Sequence, residues 1–359
     1  MAGKHLEWVD LVKVITMLLV IIGHCNYYEV STSYGSVTYL EINGGSKMYE
    51  FILFLTRFIY SFHMPLFMAV SGAICALTRK QGERFSDFAS KKAKRLLIPF
   101  LLVTTFVSVP CKYISGYYDS SSNILRDIFM GQYLLLGNSH LWFVVCLFLI
   151  FMVSYWLERL QVRKNLFFVA VLLLFSWIGY RISYTDSLKH ISLLFTYLFY
   201  FYVGFMMIGY FSSKEKSNRY IVLSWLLLLL VYGVYYQYDF SATRMLRIAN
   251  YPLRTLFPLW GIYNMMFTCK KMCSQINSLP SSKIYSYLKA NSYDLYLYSD
   301  PLNYPLIPIL VYFLGDSIFT TDSGAFTAFM VRFFGTLFGA MLLIYIIKQI
   351  KIRIGGKTV

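Results

Sequence analysis

The feature that most limits what this chain can become is a series of long apolar runs separated by short basic segments. A helix needs about 20 mostly apolar residues to cross the hydrocarbon of a bilayer. Ten stretches qualify: roughly 8–26, 50–77, 96–112, 140–157, 166–181, 191–211, 220–237, 253–269, 293–314 and 325–347. Backbone N–H and C=O groups find no water there, so runs of this length dictate helices. The predicted fold is therefore an all-α polytopic membrane protein, with about ten transmembrane helices in one bundle. Residues 1–359 are expected to form a single transmembrane domain with no separate soluble domain. The eighth and ninth stretches hold Pro252, Pro258, Pro301, Pro305 and Pro308 and are expected to be broken or tilted.

Composition agrees. With 58% hydrophobic and only 14% charged residues, the chain lacks the charged surface of a soluble domain of its length. A net charge of +16 raises the question of nucleic acid, but the cations sit between apolar runs, so no polyanionic partner is needed. With the N-terminus inside, inner segments carry 22 lysines and arginines (Lys4, Lys80, Arg163 and Lys357 among them) against 8 in outer segments. That bias predicts cytoplasmic termini. The outer loop 237–254 is an exception, with Arg244, Arg247 and Arg254. A basic patch for an anionic ligand is one explanation and a misplaced span boundary is another. The first apolar run leads into His-Cys-Asn rather than a small-x-small cleavage site, so no cleavable signal is expected. The six cysteines form no CxxC and read as small apolar side chains, and no metal is expected. Loops near 27–49 and 113–139 are rich in Ser, Gly and Tyr.

Titratable groups inside apolar runs are costly and are therefore functional candidates. The first run offers Asp10, Lys13 and His24. At about 100° per residue, Lys13 and His24 fall roughly 20° apart on one face, with Asp10 about 40° from His24. Lys13 and His24 stand about 16 Å apart along the axis. One reading is a Lys13–Asp10 pair at one surface and an interfacial His24 at the other. A second is a polar stripe that serves chemistry. In the second run, Arg57 is expected at a depth similar to that of His24, which points to a shared polar cavity. His63 reads equally as a structural hydrogen-bonder or a catalytic group, Pro65 can kink the run, and Ser71-Gly72 permits close helix packing. In KKAKRLLIP, Lys92 and Arg95 stand one turn apart, either as a solvated anchor or as a clamp for an anionic cofactor.

Four stretches taken in order, WVDLVKVITMLLVIIGH (8–24), FHMPLFMAVSG (62–72), KKAKRLLIP (91–99) and HLWFVVCLF (140–148, with Trp142), resemble the bacterial membrane acyltransferase family 3. NSYDLYLYSDP (291–301) resembles its last motif. The family's Arg-x10-His signature is Lys13-x10-His24 here, and its Arg-x-x-Arg pair is Lys92-x-x-Arg95. Lysine keeps the charge but loses the bidentate fork. Many members read YLxH in the last motif. This chain has Tyr296-Leu297-Tyr298-Ser299-Asp300, so no catalytic role transfers there and Asp300 is the nearest titratable group.

The resemblance implies a protein of the bacterial cytoplasmic membrane that moves an acetyl, or sometimes succinyl, group from an acyl-CoA to a hydroxyl. The acceptor it implies is a sugar of a polysaccharide, lipid-linked glycan or other exported glycoconjugate, and the essential residue is His24. An imidazole exchanges protons near neutral pH, so His24 would deprotonate the acceptor or carry the acyl group itself. Arg57 or a nearby polar group would stabilise the oxyanion. Lys13, Lys92 and Arg95 would attract the CoA phosphates. The expected partners are acyl-CoA, a carbohydrate acceptor and the lipid bilayer. A transporter or flippase for a glycan or small anion is the alternative, since Arg57, His63 and Arg332 inside apolar runs suit it as well. No inverted repeat of the kind many transporters carry is visible, and a purely structural scaffold leaves the buried charges unexplained. Tyr27, Tyr28, Tyr117, Tyr118, Tyr133, Tyr235 and Tyr236 suit either sugar stacking or an interfacial aromatic belt.

Overall fold

A computed structural model describes residues 6–26, 29–38, 46–79, 82–162, 164–182, 188–276, 278, 281–315, 318 and 320–353. Lys4, Lys80, Arg163 and Lys357, and also Tyr27 and Tyr28, lie outside these residues. About 82% of the described residues are helical. It begins with α1 (Glu7–His24), a hairpin of β1 (Glu29–Thr32) and β2 (Gly35–Thr38), α2 (Lys47–Tyr60), α3 (His63–Thr78) and α4 (Phe85–Val103). A π-turn at Thr104–Ser108 carries α4 into α5 (Val109–Ile114), and α6 (Ile124–Ile128) runs into a second π-turn at Phe129–Tyr133. There follow α7 (Trp142–Arg159), α8 (Leu166–Ile182), α9 (Lys189–Ser213), α10 (Asn218–Tyr236), α11 (Arg244–Gln275), α12 (Lys283–Leu314) and α13 (Asp322–Arg353).

Each apolar stretch read from the sequence falls on these helices. Among the described residues, six helical segments are long and apolar enough to cross a membrane: Lys47–Thr78, Phe85–Ile114, Trp142–Arg159, Lys189–Ser213, Asn218–Tyr236 and Asp322–Arg353. The others fall short for physical reasons. α1 carries Glu7, Asp10 and Lys13 in its first half, and α8 is apolar but has only 17 residues. α11 and α12 carry prolines and many polar groups.

Three local expectations change. α11 starts at Arg244, so Arg244, Arg247 and Arg254 lie on a helix rather than in a loop, with the Arg254 guanidinium 5.8 Å from the Tyr180 ring centre. α11 and α12 run through all five prolines, because each proline removes one hydrogen bond and the turns on either side hold. Part of the 27–49 loop is the hairpin, which pairs Val30 with Val37 and Thr32 with Gly35.

Packing divides the described residues into two compact units. One comprises the chain up to Thr16, Arg57–Lys92 and Cys146–Ala290. The other comprises Met17–Thr56, Ala93–Val145 and the chain from Asn291 onward. In the first, α3 lies against α9 at backbone distance. A Cβ on Gly72 would meet the Phe201 carbonyl oxygen at 1.9 Å, and one on Gly204 would meet that of Ala69 at 1.8 Å. This is the close approach expected of Gly72. Glu158 gathers Arg79, Lys164 at 2.9 Å and the Tyr202 hydroxyl at 3.4 Å. In the second unit the hairpin docks through the Ser36 N–H on the Tyr117 carbonyl at 3.0 Å. Gly35 takes φ +130°, and a Cβ there would sit 2.3 Å from the Tyr117 ring. Tyr117, Tyr118, Tyr304 and Val37 form the local core. Lys112, 1% exposed, lies between the Tyr117 and Tyr304 rings and donates to Gln132 Oε1 at 3.2 Å and to the Asn138 carbonyl.

Candidate active site

α1 ends at His24, and its last turn lies in the second unit with α13 and the part of α12 from Asn291 onward. His24 Nδ1 lies 2.9 Å from Asp300 Oδ1 on α12. The other oxygen of the same carboxylate lies 3.0 Å from Nδ1 of His140, just ahead of α7. The two imidazoles are edge-on, 6.2 Å apart at 79°. One buried carboxylate thus bridges two histidines from distant parts of the chain. His24 keeps 13% of its side-chain surface accessible, whereas Asp300 and His140 keep 3% each, so His24 is the most accessible of the three.

The second nitrogen of His140, Nε2, lies 3.0 Å from the Leu297 carbonyl oxygen. A carbonyl only accepts, so Nε2 carries a proton and the ring is fixed from both sides. The Leu297 oxygen is available for a simple reason. In an α-helix it would take the N–H of residue 301, and that residue is Pro301, which has none. The proline next to Asp300 therefore leaves an acceptor for the histidine that holds Asp300. Tyr296 completes the arrangement by donating its hydroxyl to the His140 carbonyl at 2.5 Å.

On the other side of His24 lies Arg332 of α13, 0% exposed. Its Nη2 donates to the His24 carbonyl at 3.2 Å and its Nε to Asn303 Oδ1 at 3.2 Å. Asn303 Nδ2 approaches Cys25 Sγ at 4.0 Å.

The remaining sequence candidates have other surroundings. Lys13 lies 3.9 Å from Asp10, whose Oδ2 lies 3.1 Å from Lys289, which also holds Glu7 at 2.8 Å. Arg57, exposed in the first unit, meets the Tyr236 hydroxyl at 3.4 Å and stands 5.5 Å from that ring's centre. His63, 1% exposed in the same unit, faces the Ile59 carbonyl with Nδ1 at 3.0 Å. The Ser71 hydroxyl donates to Phe67, and half-buried Trp142 packs edge-on against Phe143. Lys92 stands 3.7 Å from the Phe151 ring centre, and Arg95 is exposed one turn on. Sequence reasoning passes over His140 as a site residue and leaves Asp300 without a role. Both are titratable groups within apolar runs, the signal that singles out His24. Among the described residues, no cluster of His, Cys, Asp or Glu is arranged to hold a metal ion.

An imidazole backed by a buried carboxylate can take a proton from a hydroxyl. Comparison with known proteins gives no match among curated proteins and none among solved structures. A family model described as an acyltransferase domain matches residues 6–348, nearly the whole chain and every residue of the cluster around His24, so the chain belongs to the acyltransferase 3 family.

Proposed function

We propose that this chain is a multi-pass membrane O-acyltransferase of the bacterial inner membrane. It moves an acetyl or succinyl group from acyl-CoA to a sugar hydroxyl of a surface or exported glycoconjugate, with its ten apolar stretches spanning the bilayer and both termini cytoplasmic. The observation that carries the reading is the 2.9 Å contact between His24 Nδ1 and Asp300 Oδ1. With the proton on Nδ1, the nitrogen facing the carboxylate, the lone pair of the ring lies on Nε2.

His24 Nε2 takes the proton of the acceptor hydroxyl as its oxygen attacks the thioester carbonyl. The tetrahedral adduct collapses, the C–S bond breaks, and the imidazolium returns its proton to the leaving CoA thiolate. Asp300 holds the ring in orientation and offsets its charge while it is protonated. Proton transfer by a positioned base contributes about 10²–10⁴-fold in rate. Lys92 and Arg95, one turn apart on α4, supply cations for the CoA phosphates, and Lys13 adds a third.

The test uses membrane vesicles from cells producing the chain, supplied with radiolabelled acetyl-CoA, followed by mass spectrometry of the labelled glycan. His24→Ala should abolish incorporation while the chain stays folded and in the membrane. Full incorporation by that variant would remove His24 from the chemistry. Vesicles that move glycan without labelling it would point to the transporter instead.

A further inference from the structure

Arg332 places a guanidinium inside an apolar helix with 0% exposure, and the proposed chemistry gives it no task. A cation buried in a membrane helix is costly and persists where its partners compensate it. Its partners are on two other helices. Nη2 donates at 3.2 Å to the carbonyl of His24, one of the last carbonyls of α1, which lack donors within their own helix. The negative end of the helix dipole also points there, so a cation is favoured at that spot. Nε donates at 3.2 Å to Asn303, one turn beyond Asp300 on α12. Asn303 turns its other amide atom toward Cys25, the next residue after His24.

α1 and α12 are therefore joined twice. The direct join is His24 Nδ1 to Asp300 Oδ1. The indirect one runs from the His24 backbone through Arg332 to Asn303. Together they form a closed ring over three helices. A single contact between two side chains fixes a distance, whereas a ring that also grips the backbone of one residue and the neighbouring turn of the other fixes orientation. Arginine suits the task because its planar fork presents separate donors in a rigid frame, which lysine cannot do.

We propose that Arg332 is a positioning residue for the His24–Asp300 pair, tying the end of α1 to the turn of α12 that carries the carboxylate. The inference takes His24 as the base, but its closing test reads the position of His24 directly. The full-length chain in detergent is treated with diethyl pyrocarbonate, and carbethoxylation of His24 and His63 is followed by peptide mass spectrometry. In Arg332→Met and Asn303→Ala the end of α1 is released, and His24 should react at least about threefold faster, as locally opened segments do. His63, 1% exposed in the other unit, should stay as slow as before. Arg332→Lys should give an intermediate rate. In vesicles the same variants should lose acetyl transfer in kcat while KM for acetyl-CoA holds. Faster modification with slower transfer is the signature of a displaced base.

An unchanged His24 rate in both Arg332→Met and Asn303→Ala overturns the proposal. So does a parallel rise at His63 with a lower melting temperature, which would make Arg332 a general fold residue. If His24→Ala retains transfer while Arg332→Met still frees His24, the tie stands and the base assignment falls.

Discussion

His24 Nδ1 and Asp300 Oδ1 meet at 2.9 Å, and the second oxygen of that carboxylate meets His140 Nδ1 at 3.0 Å. The bridge is asymmetric. His140 is held by acceptors at both nitrogens, while His24 retains more exposed surface. In the proposed chemistry, Asp300 and His140 are the support and His24 is the member that meets substrate.

Asp300→Asn keeps the volume and removes the charge. The amide can present either its oxygen or its NH2 to His24, so the ring loses the partner that selects its tautomer. Acetyl transfer should fall by about 10²–10⁴-fold. Its KM for acetyl-CoA should stay within about twofold, since the interaction lost acts on the chemical step. A variant with wild-type kcat in the vesicle assay would separate the carboxylate from the reaction.

His140→Phe removes both ring contacts and leaves Asp300 Oδ2 and the Leu297 carbonyl buried without them. The expected cost is about 1–3 kcal/mol in stability, read as a lower melting temperature in detergent. A freed carboxylate also lets His24 drift, and displacement on the order of 1 Å lowers rates by up to about 100-fold. His140→Gln, which can donate to one of the two acceptors, should lie between. Equal activity of His140→Phe and the wild type would show that Asp300 needs no support.

The apolar stretches are legible in the sequence because length and hydropathy alone fix them, and His24 is legible because an imidazole within such a run is costly. The partnership of His24 is not. Residues 24, 140 and 300 lie far apart in sequence, and nothing local to NSYDLYLYSDP says which histidines its aspartate faces. The prolines mislead for a related reason. From sequence they mark breaks, but in α12 the acceptor freed by Pro301 is taken by His140 and the helix continues. The arginines ahead of the eighth stretch read as loop because polarity hides a helix start. Thr243 caps that start by accepting from the Leu246 N–H at 3.2 Å.

Gly72 and Gly204 set a stability prediction independent of the chemistry. A Cβ at either position would lie within 2 Å of a carbonyl oxygen on the facing helix, and backbone cannot rotate away as a side chain can. Gly72→Ala and Gly204→Ala should each cost about 3 kcal/mol or more, at or beyond the upper end for overpacking. Thermal unfolding in detergent would measure it, and Gly209→Ala is the control, since nothing lies within 4 Å of a Cβ there.

Lys92 and Arg95 test the donor assignment. If they hold CoA phosphates, each charge-assisted contact contributes about 1.5–3 kcal/mol. Lys92→Ala and Arg95→Ala should then raise KM for acetyl-CoA by about tenfold or more while kcat changes little. Lys92→Ala also uncovers the Phe151 ring, so Lys92→Met, which keeps that apolar contact, is the cleaner variant. An unchanged KM in Lys92→Met and Arg95→Ala would leave the pair as a surface anchor.

Pro301→Ala sets helix stability against function. Alanine restores the N–H that pairs with the Leu297 carbonyl, so α12 should gain a backbone bond and the melting temperature should hold or rise. The same bond draws the carbonyl into line with the helix and competes with His140 Nε2, which now reaches it at 3.0 Å. His140 then holds Asp300 less firmly, and transfer should drop, on the order of tenfold, because a small misplacement of the base is enough. A double-mutant cycle tests the route. In a His140→Phe background there is no imidazole left to displace, so Pro301→Ala should have no further effect on kcat. An additive loss in the double variant would show that the proline acts elsewhere in α12, and a stabilised Pro301→Ala with full activity would remove it from the site.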